Sequence, residues 1–218
     1  MRLALLAFTL ASITGCSAAT QQSPSHSVRP ITSGPTPAEQ ARADSGRPPY
    51  TSADVKFMQG MIGHHAQAIV MAGWAVSHDA RADVRILAER IVVAQTDEIA
   101  MMQRWLGDRR QTVPDADAHH EHAGMDMPGM PPMMPGMLTA EQFAQLDAAR
   151  GAEFDRLFLT FMIGHHQGAV TMVKQLLAVP GAGQDDDVFR FVADVNVDQT
   201  TEIDRMRGML STLQRNQP

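Results

Sequence analysis

The chain has 218 residues, 44% of them hydrophobic and 19% charged, and a formal net charge of −6. That supplies one ordinary core with sizeable flanks left over, so a single domain is expected. A negative balance without any Lys/Arg cluster excludes a nucleic-acid binder, because such binding rests on neutralising phosphates.

Met1 and Arg2 precede an apolar run from Leu3 to Leu10 and then small residues. This predicts a secretory signal over 1–15, too short to persist as a spanning helix. It ends in Ile13-Thr14-Gly15-Cys16, which resembles a bacterial lipobox, whose cysteine becomes the lipidated first residue of the mature chain. Cys16 is the only cysteine, so no intramolecular disulfide forms, and a lone thiol in an oxidising compartment is otherwise a liability. The expectation is an extracytoplasmic lipoprotein, anchored to the membrane at Cys16 and residing in the cell envelope or periplasm. Residues 16–50 are rich in Ser, Thr, Pro, Gln and Gly with no apolar period, and read as a flexible tether.

Helical segments follow, with almost no strand signal. The first is expected from about Thr51 to Ser77, opened by Thr51 and Asp54 at capping-box spacing, and the second from about Ala80 to Leu106. A break over 107–138 contains five prolines, at 114, 128, 131, 132 and 135, which helix and strand interiors exclude. The third segment is expected to run unbroken from Thr139, paired with Gln142, to about Val179 before Pro180-Gly181, and the fourth from about Asp185 to Leu213.

The organising feature is an internal repeat. The run from Asp54 through Met61, Ile62, Gly63, His64, His65 and Ala68 to Met71 aligns without a gap on Asp155 through Met162, Ile163, Gly164, His165, His166 and Ala169 to Met172. The following helices match too, with Gln95, Glu98, Ile99 and Met102 against Gln199, Glu202, Ile203 and Met206. Each repeat is a helical hairpin (51–106 and 139–213), and two hairpins make a four-helix bundle over 51–213 with approximate two-fold symmetry.

At about 100° per residue, Asp54, Met58, Met61, His64, His65, Ala68 and Met71 fall within an arc of about 140°. Gln95, Glu98, Met102 and Trp105 share about 80°, as do Gln199, Glu202, Met206 and Met209. Polar side chains thus stand where a core stripe belongs. Imidazole with thioether suits copper, since soft sulfur favours Cu(I) and imidazole serves either oxidation state; zinc more usually takes Cys, His and carboxylate. Met61 lies three and four residues before His64 and His65, and Met162 likewise before His165 and His166, which projects both donor types to one side of a turn. Met61, Met71, Met102, Met162, Met172 and Met206 are also ordinary core filler, one by one. Glu98 and Glu202 are either ligands or acceptors for the histidines, and Gln95 and Gln199 either join them or fix register. The two histidines of each pair occupy different arcs, so unequal roles are expected. Asp54 and Asp155 are lesser candidates, with capping as their plain alternative.

The linker carries His119, His120 and His122, then Met125, Met127, Met130, Met133, Met134 and Met137 among Gly and Pro. Six methionines in thirteen residues of a solvent-facing, helix-breaking segment are not expected as core filler. They read as an adaptable copper site for capture or transfer, or as an oxidant scavenger.

The duplicated Met-Ile-x-His-His-x-x-Ala-x-x-Met hairpin, each followed by Gln-x-x-Glu-Ile-x-x-Met, resembles the domain-of-unknown-function 305 family, over about 51–106 and 139–213. The resemblance implies a ferritin-like, all-α four-helix bundle and an extracytoplasmic copper-binding protein linked to copper tolerance. Leu159 stands where the first copy has Met58, which points to a weaker second site. The leading expectation is a non-enzymatic protein that captures, buffers or transfers copper, with a copper-transfer protein as a possible partner. The alternatives are a ferritin-like redox enzyme, disfavoured because no Glu-x-x-His occurs, and a metal-free structural lipoprotein.

Overall fold

The computed structural model describes residues 45–46, 49–116 and 133–215. The signal segment, most of the tether, Cys16, and the linker candidates His119, His120, His122, Met125, Met127 and Met130 lie outside the described residues. Within them every regular element is an α-helix: α1 Ser52–Gly73, α2 Ala82–Asp108, α3 Ala140–Ala148, α4 Gly151–Leu177 and α5 Asp186–Arg215. None of these helices is long and apolar enough to cross a membrane.

Both capping boxes form. Thr51 accepts from the Asp54 N–H while the Asp54 carboxylate takes the Thr51 N–H at 2.6 Å, and Thr139 and Gln142 repeat the exchange at the start of α3. These reciprocal bonds satisfy donors that a helix start otherwise leaves orphaned.

The third segment is not one helix. It divides at Ala149 and Arg150, both extended, and Gly151 enters α4 at φ +55°. The break is set by tertiary contacts. Gly151 N–H donates to the His78 carbonyl at 2.8 Å, while the His78 ring and the Arg150 guanidinium reach the exposed carbonyl of Asp147. A single glycine without proline gave no sign of this, since helices tolerate one at a cost of about 1 kcal/mol. At the other boundary, α2 continues through Gly107 and stops where Arg110 turns to φ +53°.

α1 packs along α2 and α4 along α5, forming two hairpins whose first helices, α1 and α4, pack on each other. The core falls into two clusters related by the repeat. The first joins Met58, Met61, Met102 and Trp105 of one hairpin to Ala169, Met172 and Leu176 of the other. The second joins Phe158, Leu159, Met162 and Met206 to Ala68, Met71 and Ala72. Each cluster therefore takes the early part of one hairpin's first helix and the late part of the other's. His64 and His65 stand where α1 passes between clusters, and His165 and His166 where α4 does.

Buried polar ties lock the hairpins together with the same symmetry. Asp54 accepts from the Gly183 N–H at 2.7 Å, and Asp155 from the Arg81 N–H at 3.1 Å. These two aspartates, lesser metal candidates by sequence, are inter-hairpin struts. A third tie is asymmetric. Asp185 receives the Trp105 Nε1–H of α2 at 3.0 Å and the guanidinium of Arg109, the residue capping α2, at 2.6 Å, and accepts from Val188 N–H at the start of α5. Burial alone would raise its carboxyl, but these bonds outweigh burial and hold it below the ordinary carboxylate value.

Candidate metal centre

All four repeat histidines are buried to 1% exposure or less, as are Met58, Met61, Met71, Met102, Met162 and Met206, while Met172 retains 8%. Buried imidazole needs a partner for each nitrogen, because an unsatisfied buried polar atom costs about 1–3 kcal/mol. The two members of each pair solve this differently, as their separate arcs on the helix anticipate.

His65 and His166 are the outer members. His166 Nε2 donates to Glu202 at 2.8 Å. His65 Nε2 lies 2.7 Å from Glu98, at an angle that does not make a hydrogen bond. Glu98 and Glu202 are therefore placed as carboxylate partners of the histidines. In His166 the Nε2–H held by the carboxylate leaves the proton-free nitrogen at Nδ1, and Nδ1 of both rings has no partner among the described residues.

His64 and His165 are the inner members, with ring centroids 3.8 Å apart across the α1–α4 contact. His64 Nε2 donates to the Pro135 carbonyl at 3.0 Å, again leaving Nδ1 unpartnered, and among the described residues neither nitrogen of His165 makes a well-formed hydrogen bond, with only a weak approach to the His64 backbone. Burial, followed by the proximity of His65, lowers the His64 pKa to about 3 despite the bond to Pro135. Burial and then His64 push His165 well below the usual histidine value. Both rings are thus neutral at physiological pH, the form in which imidazole binds metals.

Gln95 and Gln199 are buried, and among the described residues the Gln95 amide has no partner at either atom and Gln199 none at its oxygen. Among the described residues no three His, Asp or Glu side chains are grouped to hold a metal by themselves. The orphaned imidazole nitrogens are chemically suited to a soft metal whose remaining donors are thioethers.

The linker departs from its expected exposure. Met133 is exposed, but Met134 is half-buried and packs against the first core cluster. The strap is held by Gln67, which accepts from Leu138 N–H at 2.8 Å and donates to its carbonyl at 3.2 Å. The sequence marks Met134 as one of six linker thioethers in a solvent-facing segment, but neither its packing against the core nor the role of the Pro135 carbonyl is legible there. The signal available was Gly168 on α4, whose missing side chain clears room for a second backbone: a Cβ there would collide with the Pro135 carbonyl.

Known proteins share this fold. A DUF305 fragment from Deinococcus radiodurans superposes with a TM-score of 0.61 at 31% identity, covering 76% of this chain and 99% of that one. A DUF305 protein of Streptomyces coelicolor, named as secreted, gives 0.62 at 27%, covering 74% and 94%. CopM in its Cu(II)-bound form gives 0.57 at 28%, covering 73% and 96%, and CopM is also known in Cu(I)- and Ag-bound forms. The uncharacterized protein L153 of Acanthamoeba polyphaga mimivirus is 35% identical over 57 residues, so the match spans 38% of that relative. The family model for the domain of unknown function DUF305 matches residues 54–210, and the chain belongs to that family.

Proposed function

We propose that this protein binds copper as cargo, in a bundle interior that pairs neutral imidazoles with thioethers, and captures, buffers or passes on the metal without turning over a substrate. The observation that carries the reading is the set of four buried histidines with unpartnered nitrogens, each pair placed between two methionine-bearing core clusters. Leaving those nitrogens unsatisfied costs about 1–3 kcal/mol apiece, a penalty that metal ligation relieves. Thioether selects Cu(I) among the metals imidazole accepts. Likeness to CopM, which is named in copper- and silver-bound forms, supports the same metal class.

The cell-envelope location rests on the amino-terminal signal and Cys16, together with the relative named as secreted. In this reading Cys16 carries the lipid, the tether gives reach, and His119, His120, His122, Met125, Met127 and Met130 form a collecting segment ahead of the bundle. Copper-edge X-ray absorption of the Cu(I)-loaded chain tests the donor set. The expected spectrum shows sulfur and imidazole scattering together, and a shell of nitrogen and oxygen alone would overturn the reading. Cys16→Ser should release the protein from the membrane fraction; retention there would overturn the lipid anchor.

A further inference from the structure

The described end of the linker, residues 133–138, is bolted across the two first helices. Pro135 accepts from His64, and Leu138 exchanges two hydrogen bonds with Gln67. Gly136, at φ +79°, lies so close to α4 that a Cβ there would come 2.6 Å from the Gly164 carbonyl oxygen. At that φ and that separation only glycine fits without strain.

This anchoring places Met134 beside Gly60, the residue before Met61. A Cβ on Gly60 would find Met134 Sδ at 3.2 Å and Met172 Cε at 3.6 Å, so both thioether side chains reach one point on α1. The first cluster already holds Met58, Met61, Met102 and Met172, none more than 8% exposed. Met134 is half-buried, at the edge between those sulfurs and solvent. The repeat maps Met61, Met102 and Met172 onto Met162, Met206 and Met71 of the second cluster, but nothing in the repeat maps onto Met134. The linker joins the hairpins once, so the asymmetry is built into the topology.

We infer that Met134 is a linker-borne thioether ligand of the copper held in the first core cluster, which makes that cluster the tighter of two related soft-metal sites. The inference rests on the copper reading above and adds to it which cluster loads first and through which residue. Cu(I) moves from the exposed Met133 to Met134 and inward by ligand exchange, one sulfur replacing another at an unchanged oxidation state. The plain alternative is that Met134 only plugs the notch over Gly60.

Silver(I), as a redox-inert probe of the same chemistry, separates the two in the full chain carrying methyl-labelled methionine. The Met134 methyl signal should shift with those of Met61 and Met172 during the first equivalent. Met134→Leu, which keeps the plug and removes the sulfur, should weaken that equivalent at least tenfold, about 1.4 kcal/mol, and spare the second. A Met134 signal that stays still while Met61 and Met172 move, or unchanged affinity in Met134→Leu, overturns the inference and leaves the copper reading standing. If no methionine signal responds, the copper reading falls and this inference with it.

Discussion

The inner histidines couple fold stability to pH. His64 is lowered to about 3 and His165 is also lowered, chiefly by burial, whereas both titrate near 6.5 in the unfolded chain. Below about 6.5 the unfolded state therefore binds more protons than the folded one, and stability falls as pH drops towards 3. Melting of the metal-free protein at pH 7.5, 6, 5 and 4 should show a falling Tm, with a shallower slope in His64→Leu/His165→Leu; equal slopes would contradict the assignment. At the outer histidines, Glu202→Ala removes the acceptor that orients His166. Loss of such a partner costs about 10–100-fold in metal affinity, and a competition titration reads it. The histidines and the glutamates could be read in the sequence because repetition at fixed spacing marks them twice. Their division into an inner pair of rings in contact across the bundle and an outer pair beside carboxylates was foreshadowed only as a difference in arc, because which rings meet depends on how α1 and α4 cross.

At the level of the helices, α4 contrasts two of its glycines. A methyl at Gly168 would collide with the Pro135 carbonyl, whereas one at Gly164 meets nothing within 4 Å. Gly164→Ala should stabilise by about 0.5–1 kcal/mol through helix propensity. Gly168→Ala should destabilise by about 1–3 kcal/mol, as overpacking does, and release hydrogen-exchange protection at the Leu138 amide; matching effects at the two sites would contradict the strap geometry. Asp185 ties α2 to the start of α5 through Arg109 and Trp105. Asp185→Ala leaves the buried guanidinium with only the more distant, exposed Asp187 carboxylate at 3.7 Å as an ion-pair partner and should cost about 3 kcal/mol by chemical denaturation. Capping boxes made the starts of α1 and α3 legible, since their signals are local. The break between α3 and α4 was not, because the contacts that impose it come from His78, some seventy residues away in sequence.

For the whole molecule, the repeat accounts for the two core clusters and for the crossed struts from Asp54 and Asp155, and the linker accounts for the departure from symmetry. Composition made residues 107–138 look like one uniform low-complexity stretch. Its described end is instead fitted to the helices by Gly136 and Gly168, a pairing of distant glycines that no local pattern announces. Replacing 117–132 with Gly/Ser of equal length should therefore reduce copper stoichiometry while preserving Tm and helicity. Extending the change through 133–138 should lower both stability and the first binding step. The most direct test of the account is an anaerobic Cu(I) titration of the metal-free chain against a competing chelator, with Zn(II) and Fe(II) in parallel. The protein should take up Cu(I) tightly and selectively, and the variant with His64, His65, His165 and His166 replaced by alanine should lose the tightest binding while staying helical. Equal uptake by that variant, or preference for zinc or iron, would contradict a copper site built on the repeated histidines.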